Sequence, residues 1–166
     1  MYYFDILDGL FKHKIRYLII GGLGVNLYGV PRTTQDIDLV IAMDRENILR
    51  LVGLLTGLGY RPRLPVEAEK LADPREVKDC IENRNLKAFS FTHGTSAYKV
   101  VNIVLVHPLD FEGAFGRRTV KTVQGVEFNL ASIDDLIECK KFSGRAQDLT
   151  DIALLHKAKR YREEGR

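Results

Sequence analysis

The sequence predicts an α+β fold, a mixed β-sheet with helices chiefly on one face. Three observations carry this. Segments of helical spacing are interleaved with short runs rich in Val, Ile, Leu, Tyr and Phe; neither kind is confined to one half of the chain; and no repeat, low-complexity tract or long linker divides it. At 166 residues, with 45% hydrophobic and 28% charged side chains, the chain can build one substantial core but hardly two. The expectation is one domain over 1–166, ending in a helical C-terminal segment at about 132–164.

The elements follow in order. Residues 2–12 place Tyr3, Ile6, Leu7, Leu10 and Phe11 at helical spacing, and Arg16 to Ile20 is a short β-prone run. That strand stops at Gly21-Gly22, a helix of two turns can follow through Tyr28, and Pro31 blocks its continuation. Asp36 to Ala42 is the next strand. Asp44 can cap a helix whose Ile48, Leu51, Val52 and Leu55 share one face and which Gly57 and Gly59 close. Arg61 to Ala72 reads as a loop. Asp73-Pro74-Arg75-Glu76 combines an N-cap acid, a proline at the first helical position and a glutamate at the third, so a helix should run to about Asn83. Leu86 to Thr92 and Tyr98 to Val106 form a hairpin through His93-Gly94-Thr95-Ser96, and Arg118 to Val123 and Val126 to Leu130 another around Gln124-Gly125. Ser132, with Asp135 three residues on, opens a helix ending near Gly144. A final helix from Gln147 to about Glu163 should turn Leu149, Ile152, Leu155 and Ala158 inward.

Composition narrows the function classes. No apolar run has the length needed to cross a bilayer, and the opening MYYFDILDGLFKHK carries acids where a secretory signal would be basic, so a cytoplasmic protein with no membrane partner is expected. Cys80 and Cys139 are far apart and lack metal spacing; they read as reduced thiols. A net charge of +3 tolerates a polyanionic partner such as RNA without demanding one, and the basic end HKAKRYREEGR reads as a solvated helix terminus. His93 and His107 sit singly in a hairpin and at a strand end and read as loop histidines.

Chemistry concentrates in one stretch, LIIGGLGVNLYGVPRTTQDIDLVI, Leu18 to Ile41. Side chains alternate across a strand, so Asp36 and Asp38 share one face while Ile37 and Leu39 enter the core. Two adjacent carboxylates repel, and a hard divalent cation, Mg²⁺ or Mn²⁺, relieves that by binding both and completing its shell with water and phosphate oxygens. Gly21-Gly22 would let backbone come close to a phosphate and leave N–H groups open to it.

In the order strand, Gly-Gly, helix, Arg-Thr-Thr, Asp-x-Asp strand, the stretch resembles the nucleotidyltransferase superfamily built on the DNA polymerase β palm. It is most similar to the small prokaryotic branch that includes the nucleotidyltransferases of type IV toxin–antitoxin and abortive-infection systems. Gly21, Gly22, Tyr28, Gly29, Arg32, Thr34, Asp36 and Asp38 match that branch's first motif, and Lys140, Gly144, Arg145, Asp148 and Asp151 its closing one. The resemblance implies a palm-like fold and Mg²⁺- or Mn²⁺-dependent transfer of a nucleoside monophosphate from an NTP to a hydroxyl. Asp36 and Asp38 would hold metal and nucleotide; Gly21, Gly22, Arg32 and Thr34 would serve the nucleotide; Lys140 would reach the triphosphate. Arg145 would offset negative charge, and Asp148, at the start of the last helix, would orient these groups. Taken alone, Lys140 and Arg145 would read as ordinary cations near a helix C-terminus.

The sequence departs from that family at one place. Where a later strand should bring a third aspartate, the run is Val100-Val101-Asn102-Ile103-Val104-Leu105. An amide offers a neutral oxygen, but it lacks the charge that holds a second cation and cannot act as a base. Asn102 is then a weakened ligand in a slow enzyme, the mark of a nucleotide- or partner-binding module that has lost catalysis, or a sign that Asp110 or Glu112 fills the gap. The acceptor could be a tRNA end, a protein hydroxyl or a small antibiotic. For the binding module the resemblance implies a small helical, antitoxin-like protein partner.

Overall fold

The computed structural model describes residues 2–165. The elements are α1 (Tyr2–Lys12), β1 (Tyr17–Ile20), α2 (Gly21–Leu27), β2 (Asp36–Ile41), α3 (Arg45–Gly57), β3 (Tyr60–Pro62), a 3-10 turn (Ala68–Ala72), α4 (Pro74–Glu82), β4 (Ala88–His93), β5 (Ser96–Val104), α5 (Phe111–Gly116), β6 (Thr119–Val123), β7 (Val126–Leu130), α6 (Ile133–Ser143) and α7 (Ala146–Glu164). Their boundaries follow local chemistry. Asp44 accepts from the Asn47 N–H at the start of α3, Asp73 from the Arg75 N–H before α4, and Ser132 from the Asp135 N–H before α6. Gly144 ends α6 at φ +64°, a left-handed conformation suited to glycine. Gln124 and Gly125, at φ +53° and +79°, make the tight turn the sequence predicts between β6 and β7.

The seven strands form one mixed sheet in the order β3-β4-β5-β2-β1-β7-β6. β2 runs parallel to β5 and β1 parallel to β7; the remaining pairs are antiparallel. The registers align two cross-strand rows that decide the molecule's organisation. Leu130, Ile19, Leu39, Ile103 and Phe89 form one row and are all buried. On the same face, α1 brings Phe4 edge-on against Phe128 and packs on α3, which buries Ile48, Leu51 and Leu55. The other row, Ile20, Asp38, Asn102 and Ser90, lies on the opposite face. Apolar and polar positions alternate along β2, β4 and β5, so one sheet supplies both the core and a polar floor.

Three readings of the sequence are corrected. The segment Arg61 to Ala72 is not a plain loop: it starts on the edge strand β3 and contains the 3-10 turn, which buries Ala68 and Leu71. Leu149 is 72% exposed, because the first turns of α7 bury Asp148 and Asp151 instead, while Ile152, Leu155 and Ala158 pack on the core. The unforeseen α5 uses Asp110 as its N-cap, accepting from Gly113 N–H at 2.8 Å, and Glu112 pairs with Arg16. Neither acid lines the polar cavity, so neither fills the place of a third aspartate.

Candidate active site

The polar floor opens into a cavity of about 880 Å³. Gly21, Gly22, Arg32, Thr34, Asp36, Asp38, Asn102, Lys140 and Arg145 all line it, although they come from β1–α2, β2, β5 and the α6–α7 turn. Asp148 does not line it and lies behind Lys140.

The fit between β1–α2 and β2 is tight. Gly21 has φ +65°, and a Cβ there would fall 2.0 Å from Asp38 Oδ2; a Cβ on Gly22 would fall 2.7 Å from Thr34 Oγ1. Both conformation and space therefore demand glycine where backbone presses on the carboxylate. Asp38 is half-buried, and its carboxyl is pushed above its ordinary range, first by burial and also by the neighbouring Asp36 charge. The Asn102 hydrogen bond, Arg145 and Lys140 pull the other way. Asp36 makes no side-chain hydrogen bond among the described residues. Among the described residues no cation pairs directly with either carboxylate, although Arg145 and Lys140 act on Asp38 through space. Two carboxylates facing a cavity are a donor set that fits one hard divalent cation, with phosphate oxygens and water completing its shell.

The α6–α7 wall is the reverse. Lys140, 3% exposed, donates to Asp148 Oδ1 at 3.0 Å and to Asp151 Oδ2 at 2.6 Å. Asp151 also pairs with Arg32, while Asp148 accepts from the Arg145 backbone N–H at 3.1 Å and its Nε at 3.2 Å. Burial would raise the Asp148 carboxyl, but hydrogen bonds from Lys140 and Ser143 and the Lys140 charge hold it down to about 2. Arg32 keeps a buried Nε with no hydrogen-bond partner among the described residues. Lys140 reaches the cavity already held by two carboxylates, whereas the Arg145 side chain is 68% exposed and meets Asp148 only at its edge.

Asn102 sits between Asp38 and Ser90. Its Nδ2 donates to Asp38 Oδ1 at 2.9 Å, and its Oδ1 accepts from Ser90 Oγ at 2.7 Å. The sequence did not single out Ser90 or Lys87 and reads His107 as a loop histidine; Lys87 and His107 also line the cavity. The antiparallel pairing of β4 with β5 brings the start of one beside the end of the other. His107 accepts from Leu109 N–H at Nδ1, and burial pushes its pKa down, so it faces the cavity as a neutral imidazole. Cys139 lines the cavity as an inert thiol, pushed up to about 12 by burial and by Asp135. Among the described residues no cluster of three or more His, Cys, Asp or Glu side chains forms a metal site, and no helix is long and apolar enough to cross a membrane.

The fold is shared with known nucleotidyltransferases. A lincosamide antibiotic adenylyltransferase, LnuA, with lincomycin bound, superposes with a TM-score of 0.59 at 19% identity, over 94% of this chain and 95% of that one. ANT(2")-Ia in complex with adenylyl-2"-tobramycin gives 0.59 at 14% identity, over 98% and 94%. An antigenic nucleotidyltransferase-like protein from Paracoccidioides brasiliensis gives 0.51 at 20% identity, over 90% and 71%. No curated protein matches the sequence. Residues 5–158, nearly the whole chain, match the family described as nucleotidyltransferase of unknown function (DUF6036), and the chain belongs to that family.

Proposed function

We propose that the protein is a Mg²⁺- or Mn²⁺-dependent nucleotidyltransferase that moves a nucleoside monophosphate from an NTP to a hydroxyl and releases pyrophosphate. The observation that carries the reading is the pair Asp36 and Asp38 on the cavity floor, with Asp38 pressed against the positive-φ Gly21. A bound cation would neutralise the pair and draw charge from the phosphates during transfer. The remaining roles belong to the chain. Gly21 and Gly22 let the backbone approach the phosphate tail. Arg145 supplies an accessible positive charge, and Arg32, which lines the cavity, supplies another beside Gly22. Asp148 and Asp151 fix Lys140 at the wall. The acceptor oxygen bonds to the α-phosphorus, the bond to the β-phosphate bridge breaks, and the hydroxyl proton is released. The two free cysteines suit a reducing, cytoplasmic setting.

Asn102 favours a second reading. Its amide turns an N–H toward Asp38, as suits a binding module of a toxin–antitoxin-like system with little turnover. Calorimetry with each of the four NTPs, with and without Mg²⁺, tests the common core of both. Metal-dependent binding of at least one NTP, lost in a folded Asp36→Asn, Asp38→Asn double variant, is the expected result. No binding of any NTP, or undiminished metal-dependent binding in the double variant, would overturn the assignment. Pyrophosphate release with candidate acceptors, RNA, proteins and small hydroxyl compounds, then separates enzyme from module.

A further inference from the structure

Ser90, Asn102 and Asp38 stand directly opposite one another on β4, β5 and β2. The Ser90 hydroxyl donates to the amide oxygen and the amide nitrogen donates to the carboxylate, at 2.7 and 2.9 Å. This sets which end of the amide faces the cavity floor. With its oxygen engaged by Ser90, Asn102 turns toward Asp38 a polarised N–H and not a lone pair. A ligand to a cation must offer a lone pair, and an amide nitrogen has none to give. The opposite orientation would set the Asn102 oxygen against the Asp38 carboxylate with no proton between them, which only a cation shared by the two could stabilise.

Charge leads to the same count. Asp36 and Asp38 carry two negative charges, which one divalent cation balances. A second would find no other carboxylate among the described residues that line the cavity, where Asn102 contributes no charge. Building on the proposed function, we infer that this site holds one divalent cation, on Asp36 and Asp38, and that the Asn102 amide, oriented by Ser90, occupies the side of Asp38 where a second would sit. Ser90 and Asn102 are therefore positioning residues. They hold Asp38 Oδ1, leaving Oδ2 beside Gly21 and both oxygens of Asp36 without a hydrogen bond among the described residues.

The test counts Mn²⁺ by electron paramagnetic resonance in the full chain, titrated in the presence of a non-hydrolysable NTP whose own binding is followed by calorimetry. The expected result is one Mn²⁺ per chain in the wild type and two in Asn102→Asp, where Ser90 would donate to a carboxylate. That variant should also gain transfer activity. A count of two in the wild type overturns the inference while leaving the nucleotidyltransferase reading intact. Nucleotide bound with no Mn²⁺ also overturns it, and no nucleotide bound at any Mn²⁺ concentration overturns both. Should Asn102→Asp not fold, the wild-type count decides by itself. A second readout follows the Asn102 side-chain amide by nuclear magnetic resonance. The proton hydrogen-bonded to Asp38 should stay protected from exchange with water as Mg²⁺ and the analogue are added, whereas loss of that protection would show the amide turning its oxygen to a cation.

Discussion

Two clusters of buried or half-buried charge share one cavity, and they are built on opposite terms. Behind the α6–α7 wall, Lys140, Arg32 and Arg145 meet Asp148 and Asp151, three cations around two carboxylates. On the floor, Asp36 and Asp38 stand together, and among the described residues the one hydrogen bond their carboxylates receive comes from a neutral amide. The first cluster is complete as folded. The second is complete only with something positive added. A buried pair satisfied from within belongs to stability, whereas two like charges left facing a cavity belong to ligand binding, and in this chain the two lie on neighbouring elements.

The difference can be broken most forcefully from the paired side. Lys140→Met takes the shared, buried cation from Asp148 and Asp151 and leaves them only Arg145 and Arg32, and urea denaturation should show a loss of about 3 kcal/mol; a loss below about 1 kcal/mol would mean that the cluster is not a closed unit. Acid should dissolve the same cluster. Asp148 is held at about 2, below its ordinary 3.8, so its contribution is present above about pH 4 and is lost as the pH falls toward 2. That loss is worth about 2 kcal/mol. It should be seen in denaturation midpoints of the wild type at pH 4 and 2 and be missing in Asp148→Asn.

The unpaired side should behave in the contrary way. Asp36→Asn removes a repulsion, so stability without metal should hold or rise, by no more than about 1 kcal/mol. The thermal stabilisation by Mg²⁺ and nucleotide together, expected from binding to the native state, should vanish. A large fall in stability without metal would place Asp36 among the structural charges. The smallest effect is expected at Leu149→Ala. That residue lies between the two inward aspartates yet faces solvent, and its loss should stay within about 0.5 kcal/mol by chemical denaturation.

Leu149 also shows where the sequence was readable and where it was not. The Gly21-Gly22 turn, the Asp-x-Asp strand and the capped starts of α3, α4 and α6 were legible because each is local, with the spacing and the chemistry in a few consecutive residues. In α7 Ile152, Leu155 and Ala158 pack on the core as their spacing predicts, but Leu149 was misplaced because the first turns bury Asp148 and Asp151, and counting apolar side chains cannot find a face made of carboxylates. β3 is three residues long and ends in Pro62, and α5 has six residues, too few for either period to register. Lys87 and Ser90 were missed, and His107 was read as a loop histidine, for another reason. The pairing of β4 with β5 brings Lys87 and His107 to the cavity and Ser90 to Asn102, and nothing in their own neighbourhoods marks this. Asn102 was noticed as a departure, but only the Ser90 hydroxyl across the strand shows which way its amide points.

The attachment of α7 bears on how preparations of this protein should be handled. Its two inward carboxylates are the counter-ions of Lys140 and Arg32, and the chain reaches them through an exposed turn at Gly144 and Arg145. A protease cut there that frees the last helix would strip the wall of its negative charge. The clipped remainder would become a general sink for polyanions. Heparin, nucleic acid and every nucleotide would adhere to it without metal, and the intactness of the C-terminus is the first property to verify before any affinity is interpreted.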